Sequence, residues 1–252
     1  MKISIITVVF NAEKTIEGAI MSIANQTYQN IEHIIIDGGS TDDTLKHINS
    51  HKDKIAYLVS EPDEGLYHAM NKGITAATGD VIGILNADDV YEDNTVLQQV
   101  MNAHKDTKIE ACYADLVYVK EKDITQIVRY WRSKKYSPGL SFTGWMPAHP
   151  TLFLKKHVYE KAGLFNTDLK YQSDLEFCAR IFEVYKIKSI YIPTLWVRMR
   201  LGGVTNNSWI TMYKGNKESY IALKKLGLNR NPISFFLHKF SSRIKQYFQR
   251  YE

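Results

Sequence analysis

Ile3 to Val9 is an unbroken run of mostly β-branched residues, ISIITVV, as expected of a strand covered on both faces. Asn11 follows, placed to cap a helix that runs to about Gln26. Ile31 to Ile36 repeats the strand pattern and stops at Asp37-Gly38-Gly39-Ser40, where Ser40 and Asp43 have capping-box spacing for a second helix. Ala56–Ser60 reads as a third strand, Leu66–Ala77 as a helix and Val81–Leu85 as a fourth strand. Strand and helix alternating at this spacing predict a parallel, doubly wound sheet with right-handed crossovers.

After Asp89 the pattern changes. A short helix over about 94–104 precedes two β-rich runs, Glu110–Lys120 and Thr125–Trp131, which read as an antiparallel pair. A loop rich in Gly, Pro and Trp extends to Pro150, and Thr151–Leu154 is the next strand. A helix from Asp174 to about Tyr185 and a last strand at Ser189–Ile192 complete the pattern. No linker divides these elements. The expectation is one mixed α/β domain over residues 1–225, followed by a tail over 226–252.

Charge sharpens that boundary. The net charge of +5 is not spread evenly: residues 224–252 hold seven Lys/Arg against Glu252, a balance of +6, and the rest of the chain carries −1. A domain of that charge is a poor nucleic-acid binder, so no nucleic-acid partner is expected. In the tail, Phe236, Phe240, Ile244, Tyr247 and Tyr251 fall on one helical face beside Lys239, Arg243 and Arg250. That is the pattern of an interfacial helix, and it points to an anionic membrane surface met through 232–252. The competing reading packs the same aromatic stripe on the protein's own core. Two cysteines, Cys112 and Cys178, lie in apolar stretches and read as buried thiols in a reducing compartment. The apolar start reads as a first strand, not a signal peptide, and no run approaches the roughly 18 apolar residues of a membrane span. A cytoplasmic protein, peripheral on the inner face of the membrane, is expected.

Ligands of parallel α/β sheets bind beyond the carboxyl ends of the strands. Acidic residues collect there: Asp37 after the second strand, Asp63 and Glu64 after the third, Asp88 and Asp89 after the fourth. One such residue is ordinary turn chemistry. Three acidic strand ends on one edge repel one another unless a cation or hydrogen-bond donors sit among them. Oxygen-rich sites with few protein ligands suit Mg²⁺ or Mn²⁺, which also take phosphate oxygens from a substrate.

SIITVVFNAEKTIEGAIMSIANQTYQNIEHIIIDGGSTDDT and EPDEGLYHAMNKGITAATGDVIGILNADD, in that order, resemble the nucleotide-binding half of the family 2 glycosyltransferases. The resemblance implies a GT-A fold, a Rossmann-like, mostly parallel sheet with a smaller antiparallel acceptor-side part. It implies a nucleotide-sugar donor, commonly a UDP-sugar, met by Phe10, Asp37, Asp63, Asp88, Asp89 and His149, with Asp37 at the base. Asn86-Ala87-Asp88 stands where the family has D-x-D, so Asn86 replaces the first Asp and metal binding falls mainly to Asp88, with Asp89 as the other candidate. GLFNTDLKYQSDLEFCARIFEVY resembles the acceptor-side motif, and Asp174 stands at the position of the catalytic base. Ser173 and Glu176 have capping-box spacing that places Asp174 in the first turn of its helix. There an acid is also favoured by the helix dipole alone, by about 0.3–1 kcal/mol.

By that resemblance the reaction is an inverting, metal-dependent transfer of one hexosyl or N-acetylhexosaminyl unit to a glycan or lipid-linked acceptor, in making cell-surface polysaccharide such as lipopolysaccharide or capsule. Arg198-Met199-Arg200-Leu201-Gly202-Gly203 reads as a loop after the last strand from which either arginine closes onto the diphosphate. Two other classes compete. A sugar-nucleotide nucleotidyltransferase needs a glycine- and basic-rich loop after its first strand, where Phe10-Asn11-Ala12-Glu13 stands. A non-catalytic nucleotide-sugar-binding module has no need of both Asp88 and Asp174.

Overall fold

A computed structural model describes residues 1–202, 209–228, 231, 235–239 and 241. Strands β1 (Ile3–Val9), β2 (Ile31–Asp37), β3 (Tyr57–Ser60) and β4 (Val81–Ile84) lie parallel in the order β3-β2-β1-β4. All seven residues of β1 are buried, as its unbroken apolar run requires. On one face α3 (Leu66–Ala76) sets Tyr67, Met70 and Ile74 against Ile6, Ile34 and Ile36. A Cβ on Gly73 would meet Ile6 Cγ2 at 2.4 Å, so only glycine lets α3 come this close to β1. On the other face α1 (Ile16–Ala24) and α2 (Thr44–Ser50) cover Val9 and Ile35 with Ile16, Ile20 and Ile48.

Beyond β4 the same sheet becomes mixed. Its order continues β8 (Phe153–Lys155), β6 (Ala111–Lys120), β9 (Ser189–Arg200) and β5 (Val90–Tyr91), and β7 (Asp123–Trp131) pairs antiparallel with β6. β8 runs antiparallel to both β4 and β6, whereas β6 and β9 are parallel. Among the described residues these nine strands form one sheet. α4 (Val96–Ala103) lies over the second core, with Trp196 and Phe153, and α5 (Lys156–Ala162) follows β8. α6 (Ser173–Ala179) runs directly into a π-helical turn, Arg180–Val184, and α7 (Trp209–Lys225) packs beside α6.

Four local expectations need correction. Asn11 does not cap α1, which starts at Ile16; Asn11 adopts φ +49° and its Oδ1 accepts from the Thr41 amide at 2.8 Å. Ser40 does not cap α2, because its hydroxyl is turned to Asp37. Ser173 is the first helical residue of α6 rather than its cap, and Glu176 pairs with Arg180 at 3.0 Å. The last strand does not stop at Ile192. Pro193 cannot donate to the ladder, and a register shift between Tyr113 and Asp115 of β6 accommodates it, so β9 continues to Arg200.

Part of the expected tail also joins the domain. Phe235 is 1% exposed in the main core, with Leu226 and Leu228 packed against that core. Lys239 donates to Gln172 Oε1 at 3.1 Å and Ser219 Oγ at 2.8 Å. Phe240, Ile244, Tyr247, Tyr251, Arg243 and Arg250 lie outside the described residues, as does Gly203.

Candidate functional site

The C-terminal ends of β1 to β4 form one edge, and the acidic residues of that edge differ sharply in how they are held. Asp37 is fully buried. It accepts the Ser60 hydroxyl at 2.6 Å, the Ser40 hydroxyl at 2.5 Å, and the amides of Gly39 at 3.2 Å and Ser40 at 3.1 Å. Four donors fill the roughly four lone-pair sites of a carboxylate. Asp37 thereby shapes the turn that follows β2.

That turn brings three other groups together. A Cβ on Gly38 would lie 3.7 Å from the Phe10 ring and 3.8 Å from Asp63 Oδ2, so Phe10, Gly38 and Asp63 border one slot. Phe10 is 63% exposed, an aromatic face left open at a strand end. Asp63 is held by Lys72, at 2.6 Å from Oδ1, and Lys72 also pairs with Glu61 at 2.6 Å. Sequence reasoning missed Lys72, whose place on α3 looks like an ordinary solvated position.

At the end of β4, burial pushes the Asp88 carboxyl above the usual range, and the nearby Arg200 charge only partly offsets this. Asp89 is fully buried and is pushed up further, by burial first and then by the negative charge of Asp88. Asp89 is also tied down: Asn86 Nδ2 donates to its Oδ2 at 3.0 Å, and the Arg200 amide to its Oδ1 at 3.3 Å. Asp88 stays partly exposed, with the Arg200 guanidinium donating to its backbone carbonyl. The pair is short of positive charge, and Asp88 is the member with carboxylate oxygens to offer. Among the described residues no three His, Cys, Asp or Glu side chains come together as a complete metal cage. One protein carboxylate beside a substrate diphosphate fits Mg²⁺ or Mn²⁺, which keep waters and phosphate oxygens in their shells.

The two arginines expected in a loop are strand residues. Arg198 opposes Val90 and Val117, pairs with both oxygens of Glu92 at 2.6 and 2.8 Å, and donates to the Ile124 carbonyl. It is fully committed to the sheet. Arg200 alone stands at Asp88-Asp89.

Asp174 lies in the first turn of α6. Its Oδ1 accepts from the Tyr67 hydroxyl at 3.2 Å and the Leu175 amide at 2.9 Å. Asn71 of α3 makes two bonds to the Phe165 backbone, and Glu218 of α7 accepts the amides of Lys170, Tyr171 and Gln172. These fix the loop that delivers α6. His149, in a 3-10 turn after Ala148, packs its ring on Phe165 at 5.6 Å. Burial lowers the His149 pKa, so its ring is held neutral, and the Asp174 charge opposes that shift. The structure thus brings Asp174 and His149 together and adds Tyr67, which the sequence did not single out.

This curled α/β sheet, with its strand-end carboxylates and an acid at the start of α6, is a GT-A fold. The model of glycosyl transferase family 2 matches residues 4–162, and the chain belongs to that family. It is 29% identical over 256 residues to an uncharacterized glycosyltransferase of Haemophilus influenzae, covering 96% of this chain and 76% of that one. An uncharacterized glycosyltransferase of Rickettsia prowazekii is 33% identical over 195 residues, 75% of this chain and 60% of that one, and one of Mycobacterium tuberculosis is 39% identical over 102 residues, 40% and 39%. S. aureus TarS 1–349 in complex with UDP-GlcNAc superposes with a TM-score of 0.69 at 15% identity, over 93% of this chain and 69% of that one. The mannosyltransferase PcManGT of Pyrobaculum calidifontis, in complex with GDP-Man and Mn²⁺, superposes at 0.67 with 18% identity, over 94% and 68%.

Proposed function

We propose that this chain transfers one sugar from a uridine diphosphate sugar to an acceptor hydroxyl, with inversion in a single displacement. The observation that carries the reading is the contrast between two unlike carboxylates, Asp88 at the end of β4 and Asp174 at the start of α6. Asp88 is short of positive charge, and Asp174 is held by one oxygen with the other free of donors among the described residues. Asp174 takes the proton of the acceptor hydroxyl as that oxygen attacks the anomeric carbon. The bond from that carbon to the diphosphate breaks, and its electron pair leaves with the nucleoside diphosphate. A general base of this kind contributes typically about 10²–10⁴-fold. A divalent ion held by Asp88 would supply charge to the leaving diphosphate. Arg200 holds the Asp88 backbone in place, and neutral His149 lines the space beside Asp174.

The base slot favours a particular donor. Phe10 offers a stacking face, and the Asp63 carboxylate accepts hydrogen bonds only. Uracil and guanine present an imino N–H to such an acceptor, whereas adenine and cytosine present a ring nitrogen acceptor at the corresponding position. The TarS and PcManGT complexes carry donors with those two bases, which supports the choice. The nucleotidyltransferase reading finds no support. The amides of Asn11, Ala12 and Glu13, which would have to cradle a triphosphate, already donate to Ser40, Thr44 and Asp42. The acceptor is proposed to be a glycan or lipid-linked sugar of a cell-surface polysaccharide. Among the described residues no helix is long and apolar enough to cross a membrane. Exposed Leu237, within the basic tail sequence, and exposed Ile221 on α7 support contact with an anionic membrane surface.

Thermal stability against UDP, GDP, CDP and ADP, each with and without Mn²⁺, tests the donor site. Ligand at a hundred times its dissociation constant adds about 2.7 kcal/mol of stability. The expected result is a shift for UDP that needs metal, weaker for GDP and absent for CDP and ADP. No shift for any nucleotide would remove the donor-site reading.

A further inference from the structure

Tyr67 sits in the first turn of α3, 107 residues from the carboxylate it meets. Its ring is 7% exposed and packs on Phe165 at 5.7 Å, which phenylalanine would do equally well. The hydroxyl is therefore the informative part, since a buried phenol needs a partner. It donates to Asp174 Oδ1 at 3.2 Å. The second donor to Oδ1 is the Leu175 amide at 2.9 Å, and among the described residues no donor reaches Oδ2.

We infer that Tyr67 is a positioning residue for the base: its hydroxyl fixes Asp174 Oδ1, so that Oδ2 is the oxygen presented to the acceptor hydroxyl. The inference rests on Asp174 being the base. Without the phenol the carboxylate keeps only the Leu175 amide and rotates about the Cβ–Cγ bond. It then spends less time in the reactive geometry, and its charged form loses a donor that favours it. Among the described residues the titratable groups that face Asp174 are Tyr67 on α3, His149 in the 3-10 turn, and Cys178 on its own helix, while Glu176 turns to Arg180. Burial keeps the Tyr67 phenol and the Cys178 thiol protonated across the working range, raising both.

Hydrolysis of UDP-GlcNAc with Mn²⁺, water standing in for the acceptor, gives the rate readout, and the crystal structure of Tyr67→Phe gives one that needs no turnover. Tyr67→Phe is expected to lower kcat by about ten- to a hundredfold while the donor KM stays within twofold. The acid limb of its kcat/KM profile should move up by about one pH unit, because a hydrogen bond to the charged form has gone. In an Asp174→Asn background the same change should have no further effect. The crystal structure should show the Asp174 carboxylate turned from its place. If Asp174→Asn abolishes turnover but Tyr67→Phe keeps the wild-type rate, pH limb and carboxylate rotamer, Tyr67 is core packing only and the base stands. If Asp174→Asn turns over normally, both readings fall. Should Tyr67→Phe fold poorly, difluorotyrosine at position 67 keeps the ring and strengthens the donor. It should shift the acid limb down, and an unmoved limb there overturns the inference.

Discussion

Strand β2 begins and ends beside a carboxylate, and the two ends of the parallel sheet treat charge in opposite ways. At the N-terminal end, Glu32 accepts from Lys2 Nζ at 2.5 Å, Ser4 Oγ at 2.5 Å, and Thr78 through its amide at 2.8 Å and its hydroxyl at 2.6 Å. Burial alone would raise its pKa, but these donors outweigh it and bring the group down to about 2. At the C-terminal end, Asp88 and Asp89 are raised, with Asn86 and Arg200 too few to compensate. Asp37, which closes the same strand, is the exception at this end and is saturated like Glu32. A saturated carboxylate stabilises the fold and has nothing left to offer a ligand. An under-compensated one costs stability until a cation arrives, and so marks where a ligand belongs.

The sharpest way to break the comparison is at Asp174, whose carboxylate is held by one oxygen only. Asp174→Asn keeps the shape and removes the base. Turnover should fall by at least about a hundredfold while UDP binding, read by thermal shift, is retained. Near-normal turnover would reduce Asp174 to a helix-start acid. Next in size is Asp88→Asn. The wild type should gain about 2.7 kcal/mol from saturating UDP only when Mn²⁺ is present, and the variant should lose that metal-dependent part. A variant that keeps it would move the metal away from Asp88.

Glu32→Gln tests the other end of the strand. Hydrogen bonds to a charged group contribute about 1.5–3 kcal/mol, so denaturant unfolding at pH 7 should show a loss of that order. The sign with pH follows from a depressed group. Its contribution is complete above the unfolded value of 4.5 and is lost as pH falls towards about 2, so wild type and variant should converge in that window. Turnover of the folded variant should match the wild type. A large activity loss with unchanged stability would contradict the division between the two ends.

The same division explains what the sequence made legible. Parallel strands buried on both faces read as unbroken runs, and β1, β2 and β4 appear within a residue or so of their bounds. The second half did not read so easily. Pro193 hid the continuation of β9, because the bulge that absorbs it depends on β6, far away in the chain. α5 carries no cap signal of the kind that marks a helix start, since it follows β8 directly through Lys155, and neither α5 nor α7 was expected. In the site, the strand-end acids and Asp174 were visible by position. Their states were not, since saturation of Asp37 needs Ser60 and the hold on Asp174 needs Tyr67, both supplied by folding.

The smallest effect is expected at the proposed membrane-facing surface, where design of the test matters most. Removing 232–252 would delete Phe235, and opening a core at a buried phenylalanine costs about 3–5 kcal/mol, so a truncated protein that fails to bind vesicles proves little. Leu237, 63% exposed, and Ile221, 42% exposed, can be changed to serine within about 0.5 kcal/mol of wild-type stability. If these side chains enter the lipid interface, affinity for phosphatidylserine vesicles should fall by up to about tenfold with UDP-sugar hydrolysis unchanged, as one buried leucine contributes some 1.5 kcal/mol or more. Unchanged vesicle binding would leave only the basic residues of the tail to carry that contact, and raising the salt concentration would then abolish it. Binding that survives both changes would place the membrane contact on another face of the protein, away from α7 and the tail.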